Sequence, residues 1–168
     1  FEYYKDLEFR YYLALCITFS LLFFINIVNT DKYQINFLTL RHSIFTAVSL
    51  LTTTGFSTED FNNWPVMSKT LIFFLLFIGG SAGSTTGGMK IIRSILVFRY
   101  LVYEVRKLLH PKGVFNITIG GRTIEDGVVR ATLGFYLFYV LIFVFTSLVL
   151  SATGLDITTA LTASASAI

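Results

Sequence analysis

The sequence predicts an all-α polytopic membrane protein. It is built from repeated units in which a full span, a half-length helix, a loop and a second span follow one another. The units are related about an axis along the membrane normal, and a small cytoplasmic β-hairpin lies between them. Three observations predict this. Of 168 residues, 54% are hydrophobic and only 14% charged, with a mean hydropathy of +0.70; a soluble domain carries about 25% charge and could not cover its surface with so little. Two uncharged or nearly uncharged runs, residues 11–28 and 128–150, approach the roughly 20 residues that cross a bilayer, whereas residues 41–51 and 157–168 cover about half that length. Finally, Phe45-Thr46-Ala47 recurs as Leu161-Thr162-Ala163, 116 residues later, and Arg10 before the first span has a counterpart near Arg130 before the last.

The single cysteine, Cys16, excludes an internal disulfide and reads as a small packing residue. The chain opens on Phe1 rather than Met and ends in mid-pattern at Ala165-Ser166-Ala167-Ile168. Both ends are therefore expected to be cuts in a longer chain or edges of an ordered region. The net charge of +3 is unevenly spread: residues 90–130 hold eight basic and three acidic residues, the remainder five and seven. Short basic loops stay on the cytoplasmic side, which places residues 90–130 inside and the loop after residue 51 toward the outside.

Residues 1–10 are amphipathic and read as an interfacial segment. Tyr3, Tyr4, Tyr11 and Tyr12 suit either the headgroup level or an ordinary helix surface. In the first span Asn26 is expected to face protein rather than lipid, and Asn29-Thr30-Asp31-Lys32 to end the helix. After a short link over residues 33–40, residues 41–51 form the half-length helix, with Ser43, Thr46 and Ser49 at every third position. Eleven helical residues rise about 16 Å. The carboxyl end of such a helix carries partial negative charge and favours a cation.

The loop that follows, Thr52-Thr53-Thr54-Gly55-Phe56-Ser57-Thr58, is uncharged and rich in hydroxyls. Non-helical backbone at membrane depth is tolerated only where protein covers it or it lines a wet cavity. The useful case is a set of backbone carbonyls that replaces the water around a cation. Gly55 suits such a turn because it accepts positive φ or close backbone approach, and a side chain there is expected to intrude. The competing reading is a loop that returns along a protein surface and binds nothing. Glu59 and Asp60 form either an acidic vestibule or solvated loop charges. Trp64 is expected to mark the membrane interface and Pro65 to open the next helix.

Residues 66–78 are the next apolar run, with Lys69 one turn in, where it snorkels outward. Ten residues without a large side chain follow, Gly79-Gly80-Ser81-Ala82-Gly83-Ser84-Thr85-Thr86-Gly87-Gly88. From Pro65 to Gly79 is about 21 Å of helix, so this stretch begins inside the bilayer. Close packing through small residues competes with a broken, mobile segment that obstructs a pathway, and five glycines in ten positions favour the second. The phosphate-loop pattern G-x-x-x-x-G-K-[ST] is not matched, because Ile91 follows Lys90, so no nucleotide site is read here. Lys90, Arg93, Arg99, Arg106 and Lys107 then recur through an apolar background and suggest a membrane helix emerging into the cytoplasm. His110-Pro111 ends it. The alternation over residues 114–119 and the Gly120-Gly121 pair predict the hairpin. Ser151 to Asp156 is an outer turn before the last short helix.

The strings at residues 52–58 and 78–90, with Trp64-Pro65 between them, resemble the Trk/Ktr/HKT superfamily of potassium transporters, closest to the membrane subunit of the bacterial Trk system (the TrkH/TrkG type). The resemblance covers essentially the whole chain. It implies a multi-pass protein of the bacterial inner membrane in which four such repeats surround one K⁺ pathway, with no organic cofactor. By the resemblance, the backbone carbonyls of Thr53, Thr54 and Gly55 supply one quarter of a selectivity filter. Gly79, Gly80, Gly83, Gly87 and Gly88 form a gating loop beneath it. Residues 41–51 become the third pore helix and 157–168 the start of the fourth. The division that follows is a third repeat-like unit over 1–109, a cytoplasmic linker over 110–127 and a truncated fourth unit over 128–168. The partners implied are the potassium ion, the lipid bilayer, a second copy in a homodimer and a cytoplasmic ring of nucleotide-binding regulatory subunits, without nucleic acid. The departures are of coverage: the first two repeats, the fourth filter loop and the last helix are not in this sequence.

Two other classes compete: a secondary cation-coupled transporter with discontinuous helices, and a non-transporting membrane scaffold for a regulatory subunit. An enzyme is not expected. The sequence shows no paired carboxylates, no Cys/His cluster and no nucleophile with a base, and His42 and His110 stand far apart without evident partners.

Overall fold

The computed structural model describes residues 6–30, 34–110 and 116–168. Among the described residues, the α-helices run in the order α1 (Leu7–Val28), α2 (Phe37–Leu51), α3 (Val66–Leu75), α4 (Ile91–Leu109), α5 (Asp126–Ala152) and α6 (Ile157–Ala167). A 3₁₀ turn, Phe61–Asn63, precedes α3, and two short strands, β1 (Thr118–Ile119) and β2 (Arg122–Thr123), precede α5. Among the described residues, α1 and α5 are long and apolar enough to cross a membrane. At 22 and 27 residues they rise about 33 and 40 Å. The fold is thus an all-α, multi-helix arrangement with two spanning helices. α4, expected as an emerging membrane helix, is not among them: charges at Arg93, Arg99, Glu104, Arg106 and Lys107 make it amphipathic, and it buries only Ile91, Ile95 and Leu96.

The described residues divide into two compact units, residues 8–90, and residues 91–168 together with residues 6–7. The core of the first is made by α1, α2, α3 and Trp64. Phe23, Ile27, Ala47, Leu51 and Leu75 are essentially inaccessible, and Cys16 packs beside them as a thiol outside any disulfide. Trp64, expected to mark the membrane interface, is 2% exposed. Its ring lies 5.6 Å from that of Phe23, and its indole N–H donates to the Glu59 carboxylate at 3.3 Å. Its one polar atom is thereby satisfied within the protein, as a buried indole N–H requires. Asn26 does face protein. Its Oδ1 accepts from the Ser68 hydroxyl at 2.7 Å, and Ser68 is fully buried.

In the second unit α5 packs against α4 and α6. A small core of Leu96, Ile117 and Val129 lies under the strand pair. β1 and β2 pair antiparallel, Thr118 with Thr123 and Ile119 with Arg122, across Gly120 and Gly121, both at positive φ. The pairing is shorter than the alternation suggests, and Val114 and Phe115, which opened that expectation, lie outside the described residues. So do Tyr3, Tyr4, Asp31, Lys32 and Pro111.

Candidate functional site

α2 is one turn longer than the sequence pattern indicates. Asn36 caps it: the side-chain oxygen accepts from Thr39 N–H and from the Thr39 hydroxyl, both at 2.8 Å. Residues 37–40, read as part of a link, are therefore helical, and fifteen residues rise about 22 Å. The hydroxyl stripe faces inward. Thr39, His42, Ser43, Thr46 and Ser49 are buried on one face of a helix whose other face is apolar and exposed. Ser43 returns its hydroxyl to Thr39 O at 2.9 Å. Ser49 and His42 reach forward instead, to the loop.

That loop is built on a precise helix ending. Thr53 N–H donates to Leu50 O at 3.0 Å and Thr54 N–H to Ser49 O at 3.0 Å. This is the paired bonding of a Schellman cap, in which the residue after the cap takes left-handed backbone and is usually glycine. Here that residue is Thr53, at φ +53°, the one non-glycine at positive φ among the described residues. A β-branched side chain in this region is strained by about 1–2 kcal/mol. Gly55 follows at φ +72°, and its N–H makes a longer contact of 3.5 Å to Ser49 O. The Ser49 hydroxyl donates to Phe56 O at 2.7 Å and lies 3.2 Å from the Thr54 hydroxyl. His42 Nδ1 and the Thr58 hydroxyl are 2.7 Å apart. Residues 53–58 are themselves exposed.

The donor and acceptor balance of the loop is lopsided. The N–H groups of Thr53, Thr54 and Gly55 all turn back to the carboxyl end of α2. The carbonyls of the same three residues receive no donor from the described residues. The backbone of the segment therefore presents acceptors only, at the end of a helix whose partial charge is negative. A Cβ added at Gly55 meets nothing within 4 Å, so the expected intrusion of a side chain is not steric within this chain. The constraint on Gly55 is its left-handed backbone.

The second cluster singled out by the sequence is a closed loop. α3 ends at Leu75, and the chain runs to Ile78, which bridges to Met89 in parallel. Gly79 N–H donates to Met89 O at 2.8 Å, and Met89 N–H to Phe77 O at 3.0 Å. This neck requires glycine. A Cβ on Gly79 would sit 2.3 Å from Gly87 O, and one on Gly88, at φ +69°, would sit 3.2 Å from Gly79 N. At Gly80 an added Cβ would press on the Thr86 and Ser84 hydroxyls at 2.9 and 3.0 Å, whereas at Gly83 it would meet open space. Inside the loop Gly80 N–H donates to the Thr86 hydroxyl at 2.9 Å, which lies 2.7 Å from that of Ser84. Glu8 Oε1 accepts from Ala82 N–H at 2.6 Å, and Lys90 Nζ donates to the carbonyls of Ala82 and Ser84.

Sequence reasoning missed three of these participants. His42 carried a readable signal, since it shares a helical face with Thr46 and Ser49. Lys90 carried a weaker one, as the only charge between Lys69 and Arg93. Glu8 carried none, being 74 residues from its partner. Among the described residues, no group of three or more His, Cys, Asp or Glu side chains could hold a metal ion.

Comparison with known proteins shows the family of the chain. A family model described as TrkH, cation transport protein, matches residues 1–168. The chain is 39% identical over 154 residues to the Trk system potassium uptake protein TrkH of Vibrio parahaemolyticus, covering 92% of this chain and 32% of that relative. It is 38% identical over 159 residues to the protein of the same name from Halomonas elongata, covering 95% and 33%. Against the crystal structure of the potassium transporter TrkH from Vibrio parahaemolyticus, the fold superposes with a TM-score of 0.91 at 38% identity, over 98% of this chain and 35% of that one. The chain spans about a third of the length of the curated relatives it matches.

Proposed function

The chain belongs to the TrkH family of cation transport proteins, a family of transporters and not of enzymes, and from that premise we propose that it forms part of a potassium uptake pathway in a bacterial inner membrane. α2 is the pore helix of this reading and residues 53–55 are one portion of its selectivity filter. Dehydrated K⁺ is held by the backbone carbonyls of Thr53, Thr54 and Gly55, and the loop carrying Gly79, Gly80, Gly83, Gly87 and Gly88 gates the path. The observation that carries this reading is the acceptor-only loop: three consecutive N–H groups spent on the helix end and three carbonyls left without a donor. Selectivity then rests on the number and geometry of such carbonyls. The membrane potential drives entry, at about 2.3 kcal/mol per charge per 100 mV.

One segment supplies only a portion of a coordination shell, so further units are required. We propose that residues 1–109 form one repeat-like unit and 128–168 the front of another, joined by a cytoplasmic linker over 110–127. The recurrence of Phe45-Thr46-Ala47 as Leu161-Thr162-Ala163 supports this. The remaining units would lie in the rest of the parent chain. A homodimer, and a cytoplasmic nucleotide-binding regulatory ring docking near the strand pair and the basic end of α4, complete the proposal. The test is radiolabelled Rb⁺ uptake by the full-length parent protein in cells lacking other K⁺ uptake, with excess K⁺ or Na⁺ as competitor. Uptake suppressed by K⁺ and hardly by Na⁺ is expected. No uptake above background, from correctly inserted protein with its regulatory partner present, would overturn the proposal.

A further inference from the structure

The ammonium of Lys90 is spent on the glycine-rich loop. Its Nζ donates to the Ala82 carbonyl at 2.7 Å and to the Ser84 carbonyl at 3.1 Å. An ammonium has three donors and no acceptor. It asks of a loop what a monovalent metal cation asks: carbonyl oxygens aimed at one point. These two carbonyls receive no other donor from the described residues. The neighbouring donors are already used in holding the loop's shape. Ala82 N–H goes to Glu8, Ser84 N–H to Ser81 O at 2.9 Å, and the Ser84 hydroxyl to the same oxygen at 2.6 Å. The backbone of Met89, just before Lys90, is fixed in the neck by its bonds to Gly79 and Phe77. The ammonium is thus a tethered ligand. Its effective concentration at the loop is of millimolar order or higher, which a free ion at low concentration does not match.

We infer that the Ala82 and Ser84 carbonyls form a monovalent-cation subsite on this loop, and that Lys90 occupies it as a tethered competitor of the transported ion. The inference rests on the K⁺-pathway reading above and adds to it a second ion site and an internal occupant. With Lys90 in place the loop is closed around its own cation. When the ammonium withdraws, a permeating ion takes its position.

The test uses the full-length parent protein in a cysteine-free background, with Rb⁺ uptake scaled to the amount of inserted protein. Lys90→Met and Lys90→Cys are expected to raise uptake severalfold at low external Rb⁺. Treating the Lys90→Cys protein with an aminoethyl thiosulfonate restores an ammonium at nearly lysine length and is expected to return uptake to the wild-type level. A neutral methyl thiosulfonate is expected to leave it high. Unchanged uptake in both variants would overturn the inference, and so would an equal fall with either reagent, which would indicate bulk rather than charge. Should Lys90→Met accumulate poorly, the contrast between the two reagents is internal to one protein sample and still decides. Failure of the K⁺-pathway reading itself looks different, because the wild type would then take up no Rb⁺.

Discussion

Gly79→Ala is the sharpest test of the closed loop. The added methyl would lie 2.3 Å from Gly87 O, where ordinary contact begins at 3.4 Å, so roughly 1 Å of separation must be found. The obstructing atom is backbone, and no rotamer change relieves it. The neck opens, and two hydrogen bonds go with it, Gly79 N–H to Met89 O and Met89 N–H to Phe77 O. Each is worth about 1 kcal/mol net, about 2 kcal/mol together. Alanine also restricts the unfolded chain, which returns about 0.4–1 kcal/mol. The closed loop is therefore weakened by roughly 1–2 kcal/mol. At 1.4 kcal/mol per factor of ten, the open fraction rises about five- to thirtyfold. The assay is basal Rb⁺ uptake by the full-length parent at matched membrane abundance, with Gly83→Ala as control, because a Cβ at Gly83 meets open space. Equal uptake by the two variants would refute the reasoning and return the glycines to a packing role.

Three further outcomes follow from the other elements. Gly55→Ser is expected to lower K⁺ preference over Na⁺ through its φ of +72° rather than through a clash; unaltered relative Rb⁺ and Na⁺ flux would sink this. Thr53→Gly relieves about 1–2 kcal/mol of left-handed strain and concedes up to about 1 kcal/mol of glycine's chain entropy. The thermal midpoint should rise slightly while K⁺ discrimination falls, and a variant unchanged in discrimination would show that the strain serves no selectivity. Asp156 caps α6, and the Thr158 hydroxyl, with backbone N–H groups of Thr158, Thr159 and Ile157, holds its carboxyl below the usual carboxylate range. Because the folded value is the lower one, this stabilisation is fully present above the ordinary carboxylate range and is lost as pH falls through the lowered value. Amide exchange at Thr158 should speed up, relative to the intrinsic rate, in that acid window in the wild type and not in Asp156→Asn; identical profiles would refute the assignment.

What the sequence made legible was what depends on composition and period. The spans were visible because uncharged runs of their length have few alternatives, and α1 and α5 differ from the predicted runs only at their ends. The hydroxyl stripe of α2 was visible because Ser43, Thr46 and Ser49 keep helical spacing. Asn36 was legible too, as a capping residue before an apolar run, and passing over it cost one turn. The burial of Trp64 was not visible in the sequence, because Phe23, which its ring packs against, lies 41 residues away. α4 falls short of a full span by length and composition, because charges interrupt its apolar residues. Pairings such as Asn26 with Ser68 and Glu8 with Ala82 leave no trace in spacing, since 42 and 74 residues separate the partners. The repeat is legible in letters but not in packing. At an offset of 116, the residues α6 buries, Ala160, Ser164 and Ala165, fall on Ile44, Val48 and Ser49, of which the first two are exposed. α6 packs against α5 whereas α2 packs against α3, so each helix buries the face its own neighbour selects.

The two loops differ in what meets their carbonyls. In the glycine-rich loop the carbonyls of Ala82 and Ser84 are taken by an ammonium that the chain itself supplies. The loop after α2 pairs only its donors and leaves the Thr53, Thr54 and Gly55 carbonyls open. On the proposed function, the glycine loop has its cation built in, whereas the threonine loop recruits one from outside the chain. A mobile cation would then reside at the second without competition, and at the first would have to displace Lys90. The threonine loop is therefore expected to set which ion is held, and the glycine loop when it passes. Substitutions at Gly55 should then alter the ratio of K⁺ to Na⁺ flux with little effect on basal rate, and those at Gly79 or Lys90 the reverse. Were both sets of variants to shift the ratio and the rate together, the division of labour argued from these hydrogen bonds would be wrong.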